Sequence, residues 1–242
     1  MPEGPTIQLH ADRLKPFEQS IVEDCGGYDN AYAEELIGKR IEQVSAYAKY
    51  IIFQFDTFFI TVHLRLFGSY LVNDKKEVNP SFYLGFKGDI INFYVVKVKK
   101  WAGKPTDHFS NTLDPFSEEF DYKKVKRNLL NSAANKMIGI VLMDQSIFPG
   151  VGNVIRNEVL FLSKIHPNSI VKEIPTRKLT SLIKKVQEFS IASIPLIQNG
   201  SWKSSSAVYG KKTYKQYEVE KFEMKKIKRK TFVINELQTL YT

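Results

Sequence analysis

Pro2 and Glu3 are the residues at which chemistry could begin. With Met1 removed, Pro2 carries a free secondary amine with a pKa near the ~7.7–8 of α-amino groups, well below lysine. Unprotonated at neutral pH, such an amine attacks a sugar aldehyde or its equivalent and forms an iminium (Schiff-base) intermediate. Glu3, one peptide bond away, can shuttle protons at the same centre. The same start also has a purely structural reading. Pro5 pre-sets a helical φ, Thr6 sits near a helix start, and Ile7, Ala11 and Leu14 follow at helical spacing. That reading accounts for Pro5 and leaves Pro2 unexplained.

Three further stretches have residue types suited to an anionic, base-bearing partner. In Pro149-Gly150-Val151-Gly152-Asn153 a glycine-rich turn runs into a helix start, whose amides could cradle a phosphate or simply cap a helix with Asn153. In Tyr47-Ala48-Lys49-Tyr50, Lys49 heads an apolar strand and could point its charge at a phosphate or at solvent. Arg65-Leu66-Phe67 leaves an alternating strand just before Gly68. Such a cationic, aliphatic and aromatic trio can wedge into a base stack when a nucleotide is turned out, or it can form a β-bulge with Leu66 in the core.

Positioning these groups requires a scaffold, and the chain alternates between two patterns. From Ile41 to about Val98 the period is two, as in Ile51/Phe53/Phe55, Phe59/Thr61/His63 and Tyr94/Val96/Val98, with turn signals between runs. That predicts an antiparallel β unit with the N-terminal helix packed on it. Ala33–Leu36 reads as one helical turn. Turn formers fill the stretch to residue 120. Beyond Asp121 the period becomes helical, over about 121–131, 135–145, 153–164 and 176–194, the last ended by Pro195 and Gly200. Strands return at Tyr217–Lys226 and Lys230–Ile234. The expected fold is α+β in two domains: a β domain over 1–104, as a sandwich or a flattened barrel, a linker over 105–120, a helical domain over 121–200 and a basic hairpin over 201–242.

The 242 residues suffice for a large core, and the net charge of +9 favours an anionic partner. Residues 201–242 hold ten Lys/Arg and four Asp/Glu, so most of the excess is there. One cysteine, Cys25, rules out an internal disulfide and fits a reducing compartment. No apolar run approaches the ~20 residues of a membrane helix, and the start lacks a signal-peptide pattern. His10, His63, His108 and His166 show no metal-ligand spacing, and neither Cys–His nor Ser–His nucleophilic chemistry has support.

Taken in order, Pro2-Glu3-Gly4-Pro5, the segment around Lys49, His63-Leu64 with Gly68, Leu142-Met143-Asp144-Gln145, and Gly150-Val151-Gly152-Asn153 resemble the formamidopyrimidine-DNA glycosylase/endonuclease VIII family. The resemblance runs from residue 2 to about 238. It implies a β-sandwich N-domain, a helix–two-turn–helix C-domain and a bifunctional base-excision enzyme. In that pattern Pro2 attacks C1′ of the damaged nucleotide, Glu3 acts as general acid/base, and Lys49 lies next to the lesion phosphate. Asn153, with Gly152 before it, makes the helix–two-turn–helix phosphate contact. Arg65, Leu66 and Phe67 resemble the void-filling triad of the endonuclease VIII branch rather than the His-Leu-Gly-Met-Ser-Gly pattern of the other. No Arg-Phe pair follows in Phe93–Trp101, and Gly200-Ser201-Trp202 reaches Val208-Tyr209-Gly210 with no long capping loop. That branch implies oxidised pyrimidines as preferred lesions.

The C-terminus departs from the family, whose members usually end in a four-cysteine zinc finger. Gln216, Val219, Ile234 and Leu237 stand at the four positions, so a tetrahedral sulfur site is excluded and no metal is expected. The segment resembles instead a zincless finger, a hairpin held by packing, and Arg229 matches the arginine that grips phosphates around the extruded nucleotide. The run 225–230 also reads as a nuclear-localisation signal. The resemblance implies no cofactor, duplex DNA with oxidised bases or abasic sites as partner, and a monomer. The expected compartment is the cytoplasm (nucleoid) of a bacterium or the nucleus of a eukaryote. Alternatives from other classes are a catalytically inactive relative that binds damaged DNA, which retained Met1 would favour, and a basic RNA-binding protein, which leaves the ordered motifs unexplained.

Overall fold

The computed structural model describes residues 2–28, 32–224 and 226–242. Met1, whose removal would expose the Pro2 amine, and Lys225 of the basic run lie outside the described residues. The chain divides into two compact units, Met1–Ser110 and Asn111–Thr242. Within 105–120 it makes two 3-10 turns, Pro105–Asp107 in the first unit and Asn111–Leu113 in the second.

The first unit opens with α1 (Gly4–Leu14), which Pro5 helps to start, and includes one short turn of helix, α2 (Ala33–Leu36). Its strands are β1 (Asp24–Gly26), β2 (Gln43–Tyr47), β3 (Tyr50–Gln54), β4 (Phe58–His63), β5 (Ser69–Val72), β6 (Phe82–Phe86), β7 (Asp89–Tyr94) and β8 (Lys97–Ala102). They form two antiparallel four-stranded sheets, ordered β2-β3-β4-β8 and β1-β6-β7-β5. Ile51, Phe53, Ile60 and Val62 of one sheet share a core with Leu84, Ile91 and Phe93 of the other, and Ile7, Ala11 and Leu14 of α1 join it. Burying each of these Ile, Leu, Val and Phe side chains stabilises the fold by roughly 1.5–3 kcal/mol.

The alternating run Tyr94/Val96/Val98 is not one strand. Val95 takes a left-handed φ of 56°, so the chain leaves β7 and crosses into β8 of the other sheet. No glycine or proline marks that crossing, and alternation alone hid it. β4 is buried on both faces. Phe58, Ile60 and Val62 face the shared core, while Phe59 on the other face stacks on Trp101 with ring centroids 6.0 Å apart. Phe109 packs edge-on against Phe59 at 5.7 Å and stacks on Tyr47 at 4.6 Å, so the end of the first unit covers its own sheet.

His10 on α1 lies 3.3 Å from the Tyr70 hydroxyl through Nδ1. Burial, with Arg13 adding like-charge repulsion, lowers its pKa from 6.5 to about 4. A depressed folded-state pKa means that protons favour the unfolded chain. Stability is therefore full above pH 6.5 and is lost as pH falls toward 4, by on the order of 2 kcal/mol. His10→Gln should flatten that part of the profile, read as urea midpoints at about pH 7 and pH 4.5.

In the second unit α3 (Tyr122–Ala133) is capped by Asp121, whose carboxylate accepts from the N–H groups of Lys123 (2.8 Å) and Lys124 (3.1 Å). The helix expected over 135–145 shrinks to α4 (Ile138–Val141). Asp144 then bonds the N–H and hydroxyl of Ser146, fixing a turn in place of another helical step. α5 (Asn153–Leu162) and α6 (Thr176–Gln198) follow. Pro195 lies inside α6 rather than ending it. The carbonyl it cannot bond belongs to Ile191, which is half exposed and can be solvated, and the helix stops before Gly200 at φ 74°.

The last segment forms β9 (Thr213–Tyr214) paired with β10 (Tyr217–Glu218), and β11 (Glu220–Met224) paired with β12 (Arg229–Val233). The strand expected over Tyr217–Lys226 breaks at Val219, which turns inward and is buried. Among the described residues no helix is long and apolar enough to cross a membrane.

Asp114 is buried, and burial pushes its pKa up to about 6, partly offset by the Phe116 N–H that it accepts at 3.0 Å. A raised carboxyl pKa weakens the fold as pH rises from its ordinary value through about 6. Asp114→Asn keeps the hydrogen bond and should raise stability at pH 7 by on the order of 2 kcal/mol, with no gain below about pH 4, as measured by urea unfolding.

Candidate active site and nucleic-acid contacts

The N-terminal pair sits at the head of α1. Glu3 is the residue preceding the helix, and its carbonyl accepts the N–H groups of Thr6 (2.9 Å) and Ile7 (3.0 Å). Its carboxylate makes no capping bond and is only 5% exposed. Pro2 is half-buried beside it, ahead of the first helical residue. A carboxylate at the positive end of a helix, next in the chain to a nitrogen that becomes a secondary amine once Met1 is removed, suits proton transfer at one carbon.

Lys49 lies in the tight β2–β3 turn rather than on the strand, after Ala48 at φ 53°. It is buried, at 6% exposure. Its charge is felt by His63 at the end of β4, whose pKa is lowered chiefly by burial and then by Lys49, Arg65 and Lys97. His63 Nδ1 accepts the N–H of Arg65 at 3.2 Å, so that nitrogen carries no proton and the imidazole is neutral. Lys49 and Lys97, residues from separate strand ends, thus join Arg65 in one cationic neighbourhood around a neutral histidine. Lys97 had no signal in the sequence beyond its charge.

Arg65, Leu66 and Phe67 form the turn between β4 and β5. Gly68 N–H bonds the Leu64 carbonyl at 2.7 Å, and Arg65 adopts a left-handed φ of 46°. A Cβ on Gly68 would stand 2.0 Å from that carbonyl oxygen, so the turn closes only around glycine. All three side chains point outward, Leu66 at 53% and Phe67 at 77% exposure. The β-bulge reading with Leu66 in the core is therefore wrong. The core position belongs to Leu64, at 2% exposure.

In the second unit the glycine turn is braced by Gln145. Its Nε2 donates to the carbonyls of Met143 (2.9 Å) and Val151 (3.0 Å), and its Oε1 accepts the Gly150 N–H (3.1 Å). Gly152, not Asn153, is the N-cap of α5, and Asn153 is the first helical residue. Asn153 Nδ2 donates to the carbonyl of Lys230 at 3.0 Å and has a second hydrogen to offer a phosphate. Arg229 is exposed at the start of β12, opposite Met224.

Of the four residues aligned above with the family's cysteines, Val219 and Ile234 are buried in a cluster with Phe161, Val208 and Phe232, and Leu237 packs against it. Gln216 is exposed in the β9–β10 turn. Among the described residues no three His, Cys, Asp or Glu side chains converge on a metal position.

Sequence reasoning missed the polar core of α5. Arg156, Asn157 and Glu158 are buried at 0%, 1% and 2% exposure within an otherwise apolar helix. Glu158 accepts the N–H groups of Ala207 (2.8 Å), Val208 (3.0 Å) and Tyr209 (2.8 Å). The available signal was three consecutive polar residues flanked by Val154-Ile155 and Val159-Leu160-Phe161, which leaves α5 no solvent face.

Two domain models match this chain, the formamidopyrimidine-DNA glycosylase N-terminal domain over residues 1–115 and its H2TH domain over residues 112–203. Formamidopyrimidine-DNA glycosylase of Streptococcus thermophilus is 30% identical over 194 residues, covering 75% of this chain and 67% of that protein. The Streptococcus agalactiae enzyme of the same name is 32% identical over 170 residues, 64% of this chain and 60% of its own length. Human endonuclease 8-like 3 is 28% identical over 156 residues, 61% of this chain and 26% of that protein. The fold superimposes with a TM-score of 0.83 on Lactococcus lactis formamidopyrimidine-DNA glycosylase bound to DNA with an abasic site, at 22% identity, over 98% of this chain and 99% of the other. A viral DNA glycosylase gives the same score at 18% identity, over 98% and 100% of the two chains. The two matched domains define a β-sandwich domain followed by a helix–two-turn–helix domain. The chain belongs to the formamidopyrimidine-DNA glycosylase/endonuclease VIII family.

Proposed function

We propose that this chain is a bifunctional DNA glycosylase and abasic-site lyase of base-excision repair, acting on oxidised bases, pyrimidines foremost, in duplex DNA. The observation that carries the reading is the Pro2–Glu3 pair at the head of α1, with the Glu3 side chain buried beside the nucleophile. The Pro2 amine attacks C1′, and the C1′–N bond breaks with its electron pair going to the base, which leaves with the amine's proton. Glu3 protonates O4′ as the sugar ring opens, giving the iminium. The iminium acidifies C2′. Loss of a C2′ proton breaks the C3′–O bond, loss of a C4′ proton then breaks the C5′–O bond, and water hydrolyses the iminium to free Pro2. Each step uses protein groups and water alone.

The other assignments follow the same frame. Lys49 meets the lesion phosphate, and Gly152, Asn153 and Arg229 bind DNA backbone phosphates, so affinity should fall steeply with salt. Arg65, Leu66 and Phe67 fill the space that the everted nucleotide leaves, and their exposure on a glycine-locked turn supports that role. This triad, of the endonuclease VIII type, favours oxidised pyrimidines. The Lactococcus lactis relative has itself been crystallised with DNA containing an oxidised pyrimidine.

Borohydride trapping tests the proposal. Purified protein is mixed with duplex carrying an abasic site or thymine glycol, reduced, and examined for a covalent adduct. Adducts on both substrates are expected. No adduct on either, with Met1 absent by intact mass and DNA still bound, would leave a damaged-DNA-binding protein without lyase chemistry.

A further inference from the structure

The hairpin β11–β12 is held at two separate places. Its base is closed by the apolar cluster of Val219, Phe232 and Ile234. Its far end, next to Arg229, is held by buried polar groups of α5. Arg156 Nη2 donates to the Lys230 carbonyl (3.1 Å) and to the Thr231 hydroxyl (2.9 Å), while Nη1 reaches the Gly139 carbonyl (3.3 Å) and Met224 Sδ (3.3 Å). Asn153 donates to the same Lys230 carbonyl at 3.0 Å, and Asn157 accepts the Phe232 N–H at 2.8 Å. Met224 and Arg229 form the last pair of the ladder, so one guanidinium holds β11 at Met224 and β12 at Lys230 and Thr231, the two residues that follow Arg229. α4 has glycine at the seat: a Cβ on Gly139 would lie 3.0 Å from Met224 Sδ and 2.8 Å from the Pro167 carbonyl oxygen.

We propose that Arg156, supported by Asn153 and Asn157, is a positioning residue that fixes where Arg229 stands, in a hairpin closed at its base by apolar packing of Val219, Ile234 and Leu237. The inference rests on the phosphate role proposed above for Arg229. The guanidinium fork suits this task because its donors are planar and pre-organised, and they reach α4, β11 and β12 at once. With the clamp loosened, the apolar base still folds the hairpin while the Arg229 backbone loses its reference to α5. Arg156 would thus govern affinity without touching DNA.

The test is a double-mutant cycle in the full chain, read by fluorescence anisotropy on duplex with a tetrahydrofuran abasic analogue across a salt series. Arg229→Ala should weaken binding about tenfold and reduce the salt slope by about one. Arg156→Met should do the same, and the double variant should be no more than about twofold weaker than either single one. Thr231→Val removes one acceptor of the clamp at nearly constant volume and carries the cycle if Arg156→Met does not fold. It should give a smaller loss that also vanishes in the Arg229→Ala background. Equal losses from Arg156→Met or Thr231→Val with and without Arg229 would overturn the clamp and leave Arg229's role intact. An unchanged slope for Arg229→Ala would overturn the phosphate assignment itself, and the inference with it.

Discussion

Glu3→Gln is expected to lower the single-turnover rate of base excision by about 10²–10⁴-fold while duplex binding stays within about threefold. The substitution keeps shape and burial at the head of α1 and removes only the side chain's ability to give and take a proton, which the proposed mechanism uses at O4′. Pro2→Gly should lower the borohydride-trapped fraction by about 10²-fold even though glycine still offers an α-amine. A secondary amine gives an iminium that cannot shed a proton to become a neutral imine, so its electron sink persists through elimination. The pyrrolidine ring also fixes φ and the direction of the lone pair. Excision at the native rate by Glu3→Gln would remove Glu3 from the chemistry.

The second large effect separates eversion from cleavage. The double substitution Leu66→Gly with Phe67→Gly should slow excision of a base-paired lesion about 100-fold. Cutting at a pre-formed abasic site should change less than about threefold. Turning a stacked nucleotide out costs a few kcal/mol, and an exposed apolar wedge offsets that by occupying the gap. An abasic site has no base to unstack, so the wedge has less to offset there. Both side chains lie outside the core, with Leu66 at 53% and Phe67 at 77% exposure, so the fold should survive their loss. Equal slowing on both substrates would assign the turn to general DNA binding.

Strong local signals in the sequence correspond to elements of the structure. Pro5 with Ile7, Ala11 and Leu14 predicts α1, and the Leu179/Leu182/Ile183/Val186 stripe predicts α6. What failed was information held in backbone torsion or in distant partners. Val95 ends a strand at positive φ without a turn residue, and Pro195 is accommodated because its orphaned carbonyl partner lies at the surface. The fate of Leu66 depended on the closeness of Gly68 to the Leu64 carbonyl, which no spacing rule contains. Arg156, Asn157 and Glu158 could be noticed as polar residues in an apolar helix. Their partners at Ala207–Tyr209 and Lys230–Phe232 lie 49 or more positions away and become visible only in three dimensions.

A hairpin seated by hydrocarbon, amide and guanidinium groups has a consequence for survival under oxidative stress. Peroxide and related oxidants, which generate damaged bases, also attack metal-bound thiolates, and a thiolate-held finger loses its shape when they do. This chain's single sulfhydryl, Cys25, is buried in the sandwich, where its pKa is pushed up to about 12, so it stays protonated and inert. Opposite Arg229 on the ladder stands the oxidisable thioether of Met224, which is 5% exposed and pressed against a guanidinium. Its conversion to a sulfoxide requires the seat to open first, so the hairpin keeps its shape under conditions that would unmake a thiolate-held finger, and the phosphate role proposed for Arg229 would be kept with it.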